Sequence, residues 1–241
     1  MSDLNLKNPK FDSKNRSFDG LVLGTQNPGK IREFQDLFQL FDLTVLGLDS
    51  FQDLNLDDPE ETGVTFFDNA LIKAQYYAKA LNRPVLADDS GLCIDALDYK
   101  PGVYTKRFFA DCGGYEQGFV KVATLVEKSH LEGALSHLSN PYAASMHCVL
   151  VIAWPDGSHI DFEGICEGQL AFPPRYGVNK SDGFGVDPIF QPVGHQKTFA
   201  EDIEYKHRVS HRIKALAKVK DYLEKVSGNV GGQDTSKNEA S

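Results

Sequence analysis

Apolar and polar positions along this chain fall into blocks that switch between two periods. Residues 21–24 form a short apolar run, followed by a Gly/Asn/Pro loop and an amphipathic stretch over residues 31–41, the pattern of a strand leading into a helix. Residues 65–81 open with Thr65-x-x-Asp68, a capping-box signature, and place Phe66, Ala70, Ala74, Tyr77 and Leu81 at spacings of three or four, which predicts a helix. Residues 84–87 predict a buried strand that stops at Asp88-Asp89-Ser90-Gly91, read as a tight turn at the strand's end. Residues 146–154 and 159–164 predict two antiparallel strands around the turn Pro155-Asp156-Gly157. Ser210 precedes a closing helix whose apolar face is Ile213, Leu216, Val219, Leu223 and Val226. The alternation predicts a mixed α/β fold, with the residues of chemical interest at strand ends and helix starts.

The two ends carry no such pattern. Residues 1–19 are polar and aperiodic, and residues 227–241 are a Gly/Ser/Asn-rich tail that cannot bury apolar surface, so the expected domain is residues 20–226. No repeat divides it, and 241 residues suit one domain or two closely joined lobes. The longest strongly apolar stretch, residues 148–154, is too short to span a bilayer, and the first residues hold no hydrophobic stretch of signal-peptide type. Cys93, Cys112, Cys148 and Cys166 are scattered without a CxxC pair, as in a protein of a reducing compartment, so a cytoplasmic location is expected. The balance of 25 Lys+Arg against 34 Asp+Glu gives a net charge of −9, which repels a duplex phosphate backbone. A small anionic ligand then requires a locally basic pocket.

Four segments could build one. Gly24-Thr25-Gln26-Asn27-Pro28-Gly29-Lys30 is a glycine-containing turn from strand to helix, where backbone N–H groups and the positive dipole end favour a phosphate. It fits the P-loop spacing, but Ile31 stands where that motif needs Ser or Thr for Mg²⁺. An ordinary strand-to-helix loop with an exposed lysine has the same residues. The second set is carboxylates: Glu60 and Glu61 ahead of the Thr65 helix, and Asp88 and Asp89 after the strand. Mg²⁺ is held by one or two carboxylates plus substrate phosphates, and a neighbouring carboxylate can deprotonate an attacking water. Adjacent strand residues face opposite ways, so Asp88 and Asp89 should play different parts; a solvated turn would carry the same pair. The third is Ser210-His211-Arg212, whose cations oppose the dipole of the helix they open unless an anionic or acceptor-rich partner faces them. The fourth is Asp182-Gly183-Phe184-Gly185-Val186-Asp187-Pro188, which offers a stacking ring and an acceptor on a glycine backbone, or simply a turn with a core phenylalanine.

As an ordered set these segments are specific. Thr25-Gln26-Asn27-Pro28-Gly29-Lys30 resembles the T-x-N-x-G-K loop of the inosine triphosphate pyrophosphatase family, which clears non-standard purine nucleotides. Glu61-Thr62-Gly63, Asn69-Ala70, Lys73-Ala74, Ala87-Asp88-Asp89-Ser90-Gly91-Leu92, Pro101-Gly102-Val103-Tyr104 with Arg107, Gly183-Phe184-Gly185 with Asp187-Pro188, and Lys206 with Ser210-His211-Arg212 resemble the same family in the same order. The resemblance covers about residues 20–225. It implies an α/β protein with an elongated mixed β-sheet, flanking helices and two lobes around a nucleotide cleft, usually a homodimer. It implies Mg²⁺-dependent hydrolysis of ITP, dITP or XTP to the monophosphate and pyrophosphate. By that resemblance Thr25, Gln26, Asn27, Pro28, Gly29 and Lys30 hold phosphates, and Glu61 and Asp89 hold Mg²⁺. Asp89 also takes the proton of the attacking water, and Ser90 contacts substrate. Phe184, Gly185, Val186 and Asp187, with Lys206, His211 and Arg212, form the nucleotide and base site. Val186, Tyr142 and Tyr205 depart from residues usual in the family, and residues 173–182 make a longer segment than usual beside the base site. The alternatives are a P-loop NTPase or phosphotransferase, and a nucleotide-binding regulator without catalysis.

Overall fold

The computed structural model describes residues 20–54, 56–131, 140–178 and 183–230. The polar extension 1–19, residues 231–241 of the expected tail, and residues 179–182, the end of the segment beside the base site, lie outside these.

The chain starts with a short strand, β1 (Val22–Leu23), and helix α1 (Pro28–Leu40), then β2 (Leu46–Gly47) and a 3-10 segment (Leu48–Leu54). Helix α2 (Phe66–Leu81) leads to β3 (Val85–Ile94) and the short β4 (Lys100–Pro101). Helices α3 (Thr105–Asp111) and α4 (Tyr115–Leu131) follow, then the long strands β5 (Ala143–Ala153) and β6 (His159–Leu170). Strand β7 (Phe190–Pro192) and helices α5 (Ile203–Val209) and α6 (His211–Val230) complete the described fold. The strands form one mixed sheet in the order β2-β1-β3-β5-β6-β7, with β4 paired to β3 off this path. β1 pairs parallel with β2 and β3, and the remaining pairs are antiparallel.

Two differences from the sequence reading matter for the site. The run Asp88-Asp89-Ser90-Gly91 is no turn: β3 continues through it, paired with β5 from Val85 opposite Ala153 to Ile94 opposite Ala144. Local chemistry made it look like a turn, and the long cross-strand ladder overrides that. The closing helix also runs past residue 226, to Val230.

Helix starts obey their local signals. Thr65 caps α2: the Asp68 amide donates to Thr65 Oγ1 at 3.1 Å and the Thr65 amide donates to Asp68 Oδ2 at 3.1 Å. Ala70, Ala74, Tyr77 and Leu81 are buried as the spacing requires.

The core has three parts. On one face of the sheet α1 and α6 pack Phe34, Leu37, Leu216 and Val219 against Leu86, Leu150 and Ile152. On the other face α2 packs Ala70, Ala74 and Tyr77 against Val85, Ala87 and Val151. Further along the same long strands, α3 and α4 place Phe109, Phe119 and Val122 with Leu92, Ile94, Met146 and Phe190. Strand β3 therefore runs from two cores into a third. Its polar stretch, Asp88 to Ser90, falls between them, where the two lobes meet.

Candidate active site

Asp88 and Ser90 face α1 and α6. The Lys30 ammonium lies 3.0 Å from Asp88 Oδ2, the Arg212 Nε 3.6 Å from the same oxygen, and Ser90 Oγ donates to it at 3.2 Å. Arg212 also reaches Ser90 Oγ at 2.6 Å and Glu33 Oε2 at 2.9 Å. Lys206 joins the cluster, 3.3 Å from Glu33 Oε1 and 2.8 Å from Asp187 Oδ2. Burial alone would push the Asp88 carboxyl up, but the Lys30 and Arg212 charges hold it down at about 2. Burial likewise opposes the charge on Glu33, and Arg212 and Lys206 keep it ionised.

Asp89 faces α2. There Lys73 places its ammonium 2.6 Å from Glu61 Oε1 and 3.4 Å from Asp89 Oδ1, and Asn69 donates to Asp89 Oδ2 at 3.3 Å. The loop that carries Glu61 is fixed from two sides. The Gly63 amide donates to Asn69 Oδ1 at 2.8 Å, and Arg107 Nη2 donates to the Glu61 carbonyl. Burial pushes Asp89 above the ordinary carboxylate value, Lys73 and Lys30 pull it back, and the Glu61 and Asp88 charges add to the rise. Glu61 goes the other way: burial is outweighed by Lys73. One carboxyl of this pair is held ionised and the other is raised.

A cleft opens over these two networks. Its wall includes Thr25, Asn27 and Lys30 from the first loop, Glu61, Lys73, Asp89 and Ser90 from the carboxylate side, and Phe184, Gly185, Val186, Asp187 and Arg212 from the far side. The structure brings these residues together although they come from widely separated segments of the chain. It does not bring Gln26, Pro28, Gly29, Lys206 or His211 to the wall. Gln26 instead donates to the Leu56 carbonyl at 2.8 Å. Pro28 and Gly29 are the first residues of α1, and the ring of Phe184 packs so close that a Cβ at Gly29 would stand 2.9 Å from it. Lys206 is spent on Asp187 and Glu33, and is 2% exposed.

His211 is fully buried, and neither ring nitrogen has a hydrogen-bond partner among the described residues. The first turn of α6 presses on β6 at Gly164 through the His211 carbonyl and Ala215. Burial and the neighbouring Arg212 charge keep its pKa well below the usual histidine value, so it is neutral. The expected pair of cations at the start of α6 is thus one neutral histidine and one arginine faced by the carboxylates of Glu33 and Asp88.

The first loop also differs in detail from a bare anion-binding helix start. Asn27 Oδ1 accepts from the Gly29 amide at 2.9 Å and the Lys30 amide at 3.2 Å, so two of the amides expected to face a phosphate are already satisfied. Thr25, the side chains of Asn27 and Lys30, and the cations beside them are what the cleft presents.

Sequence reasoning missed Asp58, Thr105, Lys106, Tyr115 and Met146 in the wall and Glu33 behind it, and named Val103 only as part of a matching segment. Lys73 and Asn69 stood in matching segments without a role attached; their position within the capped helix that follows Glu61 was the available signal. All four cysteines are free. No described helix is long and apolar enough to cross a membrane.

Residues 21–222 match the Ham1 family. The chain belongs to the Ham1 family. Among its relatives, a dITP/XTP pyrophosphatase of Ruegeria pomeroyi is 41% identical over 206 residues, covering 84% of this chain and 95% of that one. A dITP/XTP pyrophosphatase of Rhodospirillum centenum is 43% identical over 199 residues, covering 82% and 91%. The solved structure of a HAM1 protein from Coxiella burnetii superposes with a TM-score of 0.67 at 36% identity, covering 86% of this chain and 98% of that one. The Ham1 fold, a mixed sheet with flanking helices, is thus the fold of this chain. The Ham1 match spans every segment of the cleft, from the Thr25 loop to Arg212.

Proposed function

We propose that this Ham1 family protein hydrolyses non-standard purine nucleoside triphosphates (ITP, dITP and XTP) to the monophosphate and pyrophosphate, and so cleanses the nucleotide pool. The observation that carries the reading is the convergence of Glu61 and Asp89 on one cation, in the wall of a cleft that Lys30 and Arg212 also line.

That cation is the Lys73 ammonium, so the two carboxylates already form a place for positive charge. No group of three or more His, Cys, Asp and Glu side chains gathers as a metal site among the described residues. Two carboxylates still fit Mg²⁺, which keeps waters and takes its other ligands from substrate phosphates. Glu61 and Asp89 would hold it, and it would neutralise charge on the phosphates during attack. Asp89, at the cleft wall beside Ser90, accepts the proton of the attacking water. Lys30, 14% exposed at its side chain, offers its charge to the phosphoryl oxygens as negative charge builds there. The 6-oxo group of inosine or xanthine is an acceptor where adenine has a donor, so a buried donor in the cleft rejects adenine by leaving polar groups unpaired.

The same reading makes the protein a cytoplasmic homodimer, which light scattering tests as a mass twice the 26.7 kDa of the chain. The activity is tested by incubating the protein with Mg²⁺ and ITP, dITP, XTP, ATP or GTP and separating the products. Monophosphate and pyrophosphate from the 6-oxo substrates, with ATP nearly untouched, support it. Diphosphate and orthophosphate would put the chain with γ-phosphate-releasing enzymes, and nucleotide binding without turnover would make it a regulator.

A further inference from the structure

Two of the residues in the cleft wall carry aromatic rings, Phe184 and Tyr115. Phe184 is largely committed to the protein. Lys206 stands 4.8 Å and Arg212 5.3 Å from its ring centroid, and Gly29 closes on its edge. Val186 is 5% exposed and offers little surface, whereas Tyr115 is 42% exposed.

Tyr115 is also built into place. It is the first residue of α4, swung in by Gly113 and Gly114, whose φ of +87° and +123° suit glycine. Behind it the ring rests on Phe109, with centroids 4.9 Å apart and planes at 31°, and on Phe119 at 6.1 Å. Both phenylalanines are core residues of the α3–α4 lobe. In front, its hydroxyl would lie 3.5 Å from a Cβ at Gly185, so the bare backbone of Gly185, at φ +64°, leaves the phenol uncovered on the cleft side. The ring is thus braced by a core on one side, and Tyr115 lines the cleft together with Asp187 and Arg212. A rigid, half-exposed ring at the edge of a charged cleft suits a flat heterocycle whose phosphates are held elsewhere.

We propose that Tyr115 is a base-binding and specificity-determining residue: its ring forms the aromatic wall against which the purine of the bound nucleotide stacks, in the lobe opposite the phosphate loop. This deepens the nucleotide reading given above and rests on it. Burial and the Asp187 charge push the hydroxyl's pKa up, so it stays protonated and adds a donor at the rim, but the ring carries the binding.

The test compares wild type with Tyr115→Phe and Tyr115→Leu by calorimetry, using inosine monophosphate and inorganic tripolyphosphate as probes. Tyr115→Leu should weaken inosine monophosphate by about 10-fold, the loss expected for one base–aromatic stack. Tripolyphosphate, which has no base, should bind all three alike, and Tyr115→Phe should bind inosine monophosphate like wild type. In turnover, Tyr115→Leu should raise KM for ITP and leave kcat in place. Equal inosine monophosphate affinity in wild type and Tyr115→Leu overturns the proposal. So does parallel loss of tripolyphosphate, which would mark a structural role, or loss in Tyr115→Phe, which would mark the hydroxyl. A wild type that does not hydrolyse ITP sinks the catalytic reading, while the inosine monophosphate comparison still decides the place of Tyr115.

Discussion

Asp88 and Asp89 are neighbours on β3 whose carboxylates stand on opposite faces of the sheet, one bound to Lys30 and Arg212, the other to Lys73 and Asn69. The alternation of a strand separates them, and their surroundings then drive their acidities apart. Asp88 is held at about 2 against an ordinary 3.8, while Asp89 is raised.

That difference predicts opposite phenotypes for two similar substitutions. The depressed Asp88 carboxyl contributes about 2 kcal/mol of stability above its unfolded pKa, lost as pH falls from about 4 to about 2. Asp88→Asn should therefore lower the unfolding free energy at pH 7 by about that amount, and loosen Lys30 and Arg212 so that KM rises. Asp89 is raised, so its charge opposes folding, and Asp89→Asn should leave stability level or increase it. Its kcat should fall by about 10²–10⁴, the usual worth of a positioned proton acceptor. Chemical denaturation and product assays on the two variants check this; equal effects on stability would contradict it.

Glu33 joins residues from three elements, because its two oxygens take Lys206 and Arg212. Removing one member of a buried ionic cluster leaves the others uncompensated, at a cost of about 3–5 kcal/mol. Glu33→Leu should destabilise by that order and raise KM as Arg212 loses its anchor. Glu33→Gln, which keeps hydrogen-bond acceptance, should recover part of both. Denaturant melts paired with substrate titrations separate the two effects.

Glu33 also shows where sequence reading stops. In α1 it follows the helical pattern of a polar face, yet it is 4% exposed, because its partner Arg212 lies 179 residues away. No local signal carries that pairing. Thr65 and Asp68 are the contrary case: a capping box is complete within four residues, so it is legible and present. The β3 run fails between these limits. Asp-Asp-Ser-Gly has the composition of a turn, and only ion pairs from α1, α2 and α6 with the ladder to β5 make it a strand. Tyr115 was hidden for a similar reason, since its place in the cleft depends on how the second lobe folds over the first.

His211 predicts a pH dependence of stability. Its folded pKa is well below the ordinary 6.5, so below that value the unfolded chain takes up a proton that the native state refuses. Stability should then fall with pH by about 1.4 kcal/mol per unit, from about pH 6.5 down to the folded pKa. Because neither ring nitrogen has a partner among the described residues, His211→Phe orphans nothing there and should flatten the slope attributable to this group. Denaturation curves between pH 5 and 7 on both proteins decide it: unchanged slopes would mean that the imidazole is not held neutral.

Asn27 has two duties that one substitution can separate. Its side-chain oxygen caps α1 through the Gly29 and Lys30 amides, and the same residue lines the cleft. Asn27→Ala removes both and should cost about 1 kcal/mol of stability together with a higher KM. Asn27→Asp keeps the acceptor and adds a negative charge that favours a helix start, so the melting temperature should hold or rise. The same charge faces the substrate phosphates, so KM should rise more than in Asn27→Ala. If Asn27 were only a cap, Asn27→Asp would turn over substrate like wild type; a stable protein with a weakened substrate affinity places the residue at the phosphates.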